Sequence, residues 1–158
     1  SIYGGTSDFY HCTIAQFYPW DADRGNALYI SNYIGEDVHL VQYANFYNCF
    51  VTGYADDEIY GNPGEIPLNL HFYNSVLLTD VSDEAYFHEC TEDSEDYPAY
   101  KNTNFKTLDT HAYFYDFRLD SLSTARSKGS SVYSSLYPVD RFGVQRGSSP
   151  DAGCYQFK

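Results

Sequence analysis

Residues 44–60, ANFYNCFVTGYADDEIY, and residues 70–86, LHFYNSVLLTDVSDEAY, are two copies of one pattern. Aligned without a gap, they match Phe46 with Phe72, Tyr47 with Tyr73, Asn48 with Asn74, Asp57 with Asp83, Glu58 with Glu84 and Tyr60 with Tyr86. Cys49 falls opposite Ser75, and Val51 opposite Leu77. A fainter copy, DFYHCTIAQF at residues 8–17, places His11 in the Asn slot and Cys12 in the Cys slot. Self-similarity on this scale marks stacked architectures, in which one repeat cannot bury its apolar face alone.

The residues choose the kind of repeat. FYNCFV and FYNSVL are short, aromatic and β-branched, as strands require, and no long segment holds a helical i, i+3, i+4, i+7 stripe. Asn is depleted in flat strands but suits a sharp bend, because it tolerates the left-handed region and its amide can bond the neighbouring backbone. Once per repeat, such amides would form a ladder along a stack. The expected fold is all-β, a parallel β-helix, with Phe inside and Tyr coating the outside.

Composition narrows the partners. The chain has 158 residues, enough for one domain, and a formal net charge of −13, which argues against nucleic acid or an anionic membrane. Through residue 100 the only basic side chain is Arg24; the other Lys and Arg lie in residues 101–158. Aromatics make up 19% of the chain, with 18 Tyr, a type that supplies flat apolar area with a hydrogen-bonding tip and so suits glycan binders. There is no Met, and no apolar run long enough for a signal or a membrane span, so the chain reads as an N-terminally truncated or processed piece. Cys12, Cys49, Cys90 and Cys154 show no metal-ligand spacing. They read as packed thiols, with a disulfide as the less favoured alternative.

Along the chain, residues 1–100 are expected to form the coils. The polar loop YPWDADRGN at 18–26 holds Tyr18 and Trp20, and YADDEIYGNPGEIP at 54–67 is a turn cluster. Phe87 and Cys90 keep the F-x-x-C spacing. Residues 101–158 are expected to supply the last strands and a C-terminal capping segment, because an open stack exposes core and strand edges. This tail contains DFRLD (116–120), STARSKG (123–129), DRFGVQR (140–146) and PDAGCYQF (150–157).

That ordered string resembles the closing segment of right-handed parallel β-helix proteins exported by Bacteroidetes, and the F-x-N-C strands with their following acid pair resemble the same group's repeat. Departures are Gln156 in the final acidic position, His11 in the first Asn slot, and EDYPAY (95–100), a loose match to a DPxF turn. The resemblance implies a right-handed β-helix at the bacterial outer-membrane surface or in the periplasm, often a lipoprotein tethered through an N-terminal lipid anchor. It implies no single reaction, since such proteins include polysaccharide lyases, glycosidases, adhesins and accessory subunits of outer-membrane nutrient importers.

The candidate chemistry is sparse. Adjacent coils would set Asp57 and Glu58 about 4.8 Å from Asp83 and Glu84. Repulsion at that spacing is relieved by solvation, by a raised pKa or by a cation, so these four acids, helped by Asp56 and Asp80, are the candidate Ca²⁺ site. Trp20 beside Tyr18 is a candidate sugar-stacking site, or else a Trp closing a coil. His11, His39, His71, His88 and His111 show no metal-ligand spacing; His88, Glu89 and Cys90 would need a folded-back loop. Nucleophile-elbow and nucleotide-binding motifs are absent. Arg118, Arg141 and Arg146 are expected to pair with Asp116, Asp120, Asp140 and Asp151. The expected function is a non-catalytic surface or periplasmic binding or accessory protein, handling glycans or serving an outer-membrane importer. The alternative is a carbohydrate-active enzyme whose active site lies mostly outside this segment.

Overall fold

The computed structural model describes residues 1–20, 23–100 and 103–158. Strands, numbered in chain order, dominate it. One parallel sheet contains β1 (Ile2–Tyr3), β4 (Leu28–Ser31) and β9 (Ile59–Asn62). A second contains β2 (Gly5–Tyr10), β7 (Val41–Tyr47), β10 (Leu70–Tyr73) and β12 (Phe87–His88). A third contains β3 (Thr13–Gln16), β8 (Phe50–Gly53), β11 (Val76–Leu77) and β13 (Thr91–Glu92). The described residues also hold two antiparallel hairpins, β5 (Tyr33–Ile34) with β6 (Asp37–Val38), and β14 (Phe105–Asp109) with β15 (Phe114–Leu119), and an isolated bridge of Val139 with Gln145. A single helical turn, α1 (Ser131–Ser134), lies in the tail.

Each pass of the chain visits the sheets in the same order, so equivalent slots stack in register. Phe9 pairs with Phe46, Phe46 with Phe72, and Phe72 with Phe87, their rings 4.6, 4.7 and 5.4 Å apart. Strand alternation turns the next residue outward, giving a second column of Tyr10, Tyr47, Tyr73 and His88. Phe46 and Phe72 are fully buried while the tyrosines are half-exposed, so Phe inside and Tyr outside holds for this column.

The bend follows immediately. His11, Asn48, Asn74 and Glu89 take φ of 51°, 53°, 46° and 52°. These are left-handed conformations that Asn tolerates better than most residues. The chain turns there from the second sheet to the third, and residues 8–17 accordingly break into β2 and β3. Among the described residues, Asn48 and Asn74 are not joined amide to amide: Asn48 Nδ2 lies 3.1 Å from His11 Nε2 in the preceding slot, and the same side chain grips Ser130 of the tail.

Two apolar cores result. Inside the sheets lie Ile30, Val41, Ala44, Phe46, Val51, Phe72 and Leu77. The second core lies between the outer face of the third sheet and the tail, where Phe17, Phe50 and Val76 meet Phe105, Leu119 and Ala152. The tail therefore covers a flank of the stack, where an end cap was expected, and β12 and β13 remain the outermost strands of their sheets. Phe50 and Val76 explain the placement, since both flank the bend yet face outward and would otherwise expose apolar area.

Polar clips hold the tail in place. Buried Asp93 accepts from Asn104 Nδ2 at 2.9 Å and from Thr124 Oγ1 at 2.8 Å. Asp140 accepts from the backbone N–H groups of Phe142, Val144 and Gln156, and Asp151 from those of Ser127 and Phe157. Buried Arg146 donates to the carbonyls of Gly153 and Cys154. Of the expected tail ion pairs, Arg118 with Asp116 forms. Asp140, Asp151 and Arg146 instead satisfy backbone groups, as carboxylates and guanidinium can do for buried turns.

Candidate functional site

Phe17, the residue after β3, lies inside the second core, edge-on to Tyr54 at 5.0 Å and to Phe105 at 5.9 Å. Past this anchor the chain leaves the core, and Tyr18 and Trp20 stand 50% and 53% exposed. The β14–β15 hairpin is fixed by the same anchor, because Phe105 and Phe117 pack edge to face at 5.1 Å and Phe117 lies 6.4 Å from Phe17. At the hairpin turn, Asp109 Oδ1 accepts from the N–H groups of His111 and Ala112. Tyr113, with φ 52°, presents its ring to solvent at 68% exposure.

These two loops meet at Trp20. Its ring lies 6.0 Å from His111, edge to face, and 6.4 Å from Tyr113, tilted by 39°. Exposed Tyr18 and Phe114 flank the cluster in sequence. The arrangement is an open aromatic platform with imidazole and phenol groups at its border, suited to stacking the apolar face of a ring while bonding its hydroxyls. Trp20 is thus exposed and does not close a coil by burial. His111 and Tyr113 had no sequence signal to join them to Trp20, since only the hairpin's docking on Phe17 brings them there.

The repeated acids part ways. Glu58 is fully buried, its Oε1 accepting from Ala55 N at 2.8 Å and its Oε2 from Ala27 N at 2.7 Å. Burial raises its pKa, with Asp57 adding to the rise while the two N–H donors and Arg24 counter it. Asp57 and Asp83 each close a local turn, bonding the N–H of Ile59 and of Ala85, and Glu84 is exposed. The equivalent sequence slots are thus not equivalent in space: both Glu58 oxygens are spent on backbone donors. Among the described residues, no group of three or more His, Cys, Asp or Glu is arranged to hold a metal ion. The candidate Ca²⁺ quartet is accordingly not assembled.

The histidines serve other ends. His88 lies on the Tyr73 ring at 4.6 Å, and its Nε2 sits 3.2 Å from His71 Nδ1. His71 Nε2 faces Asn69 Oδ1 at 3.1 Å, and burial with the neighbouring His88 lowers the pKa of His71. Cys90 packs against the inner core with its thiol toward the carbonyl of His88, in line with the ordinary packing expected for it. In the tail, a groove of about 300 Å³ is lined by Lys106, Arg118, Phe142 and Tyr155. No helix among the described residues is long and apolar enough to cross a membrane.

No family model, curated protein or solved structure matches this chain.

Proposed function

We propose that the chain is a right-handed parallel β-helix that acts as a non-catalytic binding subunit for neutral glycans, with Trp20, Tyr113, Tyr18 and His111 as the binding platform. The observation that carries this reading is the exposed Trp20 ring held beside Tyr113 and His111 by two loops sharing the Phe17 anchor. In-register parallel strands and the left-handed slot recurring at His11, Asn48, Asn74 and Glu89 support the β-helix. A net charge of −13 disfavours polyanionic sugars and leaves neutral ones as the matching class. The resemblance of the tail to exported β-helix proteins supports a setting at the outer-membrane surface or in the periplasm, as a lipid-anchored accessory of a nutrient importer.

Trp20 is the only tryptophan in the chain, so its fluorescence reports on this platform alone. Titration with a panel of neutral oligosaccharides should quench or blue-shift the emission, and Tyr113→Ala should weaken the response. A blank glycan array together with unchanged emission across the panel would sink the proposal.

A further inference from the structure

Cys12, Cys49, Ser75 and Cys90 occupy one inward slot on successive passes. Each side chain leans on the carbonyl two residues earlier. Cys12 Sγ lies 3.6 Å from Tyr10 O, Cys49 Sγ 3.5 Å from Tyr47 O, Ser75 Oγ 3.0 Å from Tyr73 O and Cys90 Sγ 3.6 Å from His88 O. The flanking registers, Tyr10 with Tyr47 and Thr13 with Phe50, make Cys12 and Cys49 direct neighbours across parallel strands. Cys49 Sγ also lies 3.5 Å from Phe9 O on the neighbouring pass. Neighbouring strands run about 4.8 Å apart, within the Cα separation that a disulfide accepts.

We propose that Cys12 and Cys49 form a redox-sensitive pair that closes to an intrachain disulfide, stapling the first two passes. Cys90 is excluded from the pairing, because Ser75 stands between it and Cys49 in the column. Access favours Cys12 as the attacking thiol. It is half-buried, beside β2 and β3, which are the outermost strands of their sheets, whereas Cys49 is fully buried. The neighbouring Cys49 thiol also lowers the pKa of Cys12.

The oxidant is a low-molecular-weight disulfide such as oxidised glutathione. The Cys12 thiolate attacks one of its sulfurs, forming a mixed disulfide and releasing one glutathione thiolate. Cys49, giving up its proton, then attacks the Cys12 sulfur and releases the second glutathione. Two protein thiols are oxidised, one glutathione disulfide is reduced to two thiols, and the two protons end on those thiols.

The folded, reduced protein would be equilibrated in glutathione buffers of increasing oxidation, alkylated, digested without reduction and mapped by mass spectrometry. The expected product is a single linked peptide pair joining Cys12 to Cys49, lighter by about 2 Da than the two reduced peptides, with Cys90 and Cys154 alkylated. Cys12→Ser should abolish it and Cys90→Ser should leave it unchanged; should Cys12→Ser fail to fold, Cys90→Ser and the wild-type map still decide. No cross-link at a poise of about −180 mV would overturn the proposal, as would arrest at glutathionylated Cys12 or a pairing through Cys90.

Discussion

Asn48 and Ser130 grip each other from both sides: Asn48 Nδ2 donates to Ser130 O at 2.8 Å, and Ser130 N donates to Asn48 Oδ1 at 2.7 Å. The Asn48 carbonyl also accepts from Gly153 N at 2.7 Å, so one bend residue receives two separate segments of the tail. Asn74 has a similar backbone bend, with φ 46°, but is half-exposed. Replacing Asn48 with Gly keeps the conformation and removes the grip, leaving Ser130 N unpaired; a loss of about 2–3 kcal/mol is expected. Asn74→Gly should stay within about 1 kcal/mol of wild type. Urea denaturation of both variants checks the contrast, and equal losses would show that the bend alone matters.

A second prediction concerns Gly53. A Cβ added there would sit 1.9 Å from Glu58 Oε1 and 2.6 Å from the Gln16 carbonyl. Glu58 could move only by abandoning Ala55 and Ala27, and the Gln16 backbone belongs to the adjoining strand β3. Gly53→Ala should therefore destabilise by about 3 kcal/mol or more. Glu58→Gln should lose roughly 1–3 kcal/mol, because its amide nitrogen cannot accept from either N–H. Thermal melts of the two variants measure both effects.

Acid should weaken the fold through His11. Burial, reinforced by the charge of Arg146, lowers its pKa to about 4, against 6.5 in an unfolded chain. Between those values the unfolded state binds more protons. The stabilisation is therefore complete above pH 6.5 and is lost progressively as pH falls toward 4, a change of about 3 kcal/mol at most. His11→Asn installs the residue that serves the same slot in later passes and removes this titration. Its stability should fall less than that of wild type between pH 7 and pH 5. The lowered pKa of His71 acts in the same direction, so a residual slope is expected. Parallel slopes for variant and wild type would refute the assignment to His11.

Calcium should be inert at the repeated acids. Glu58 is committed to two backbone donors, and Asp57 and Asp83 close separate turns. Excess Ca²⁺ is expected to leave Tm unchanged, since only binding to the folded state raises it. A rise of several degrees that disappears in an Asp57→Asn/Asp83→Asn variant would show that the carboxylates regroup around the ion.

Much of the strand framework was legible in the sequence because it rests on local rules. Alternation of Phe46 inward and Tyr47 outward follows from the pleat, and Asn48 and Asn74 mark bends because few other residues tolerate positive φ. The Cys12–Cys49–Ser75 slot followed from the same alignment, since register carries equal positions into one column. The site was legible only in part. Trp20 and Tyr18 stood out by type, whereas His111 and Tyr113 lie on a hairpin with no repeat to index it.

The sequence by itself determined the period, the bends and the sidedness of the strands, each a property of a few neighbouring residues. Tertiary structure alone decided three further things: that the tail covers the outer face of the third sheet, that Glu58 turns inward while Glu84 stays in solvent, and that two distant loops meet at Trp20. Identical residues diverged there because the backbone donors and apolar surfaces awaiting them differ from pass to pass. Partners such as Ala27 for Glu58 and Phe105 for Phe17 come from remote parts of the chain, and only packing brings them into contact.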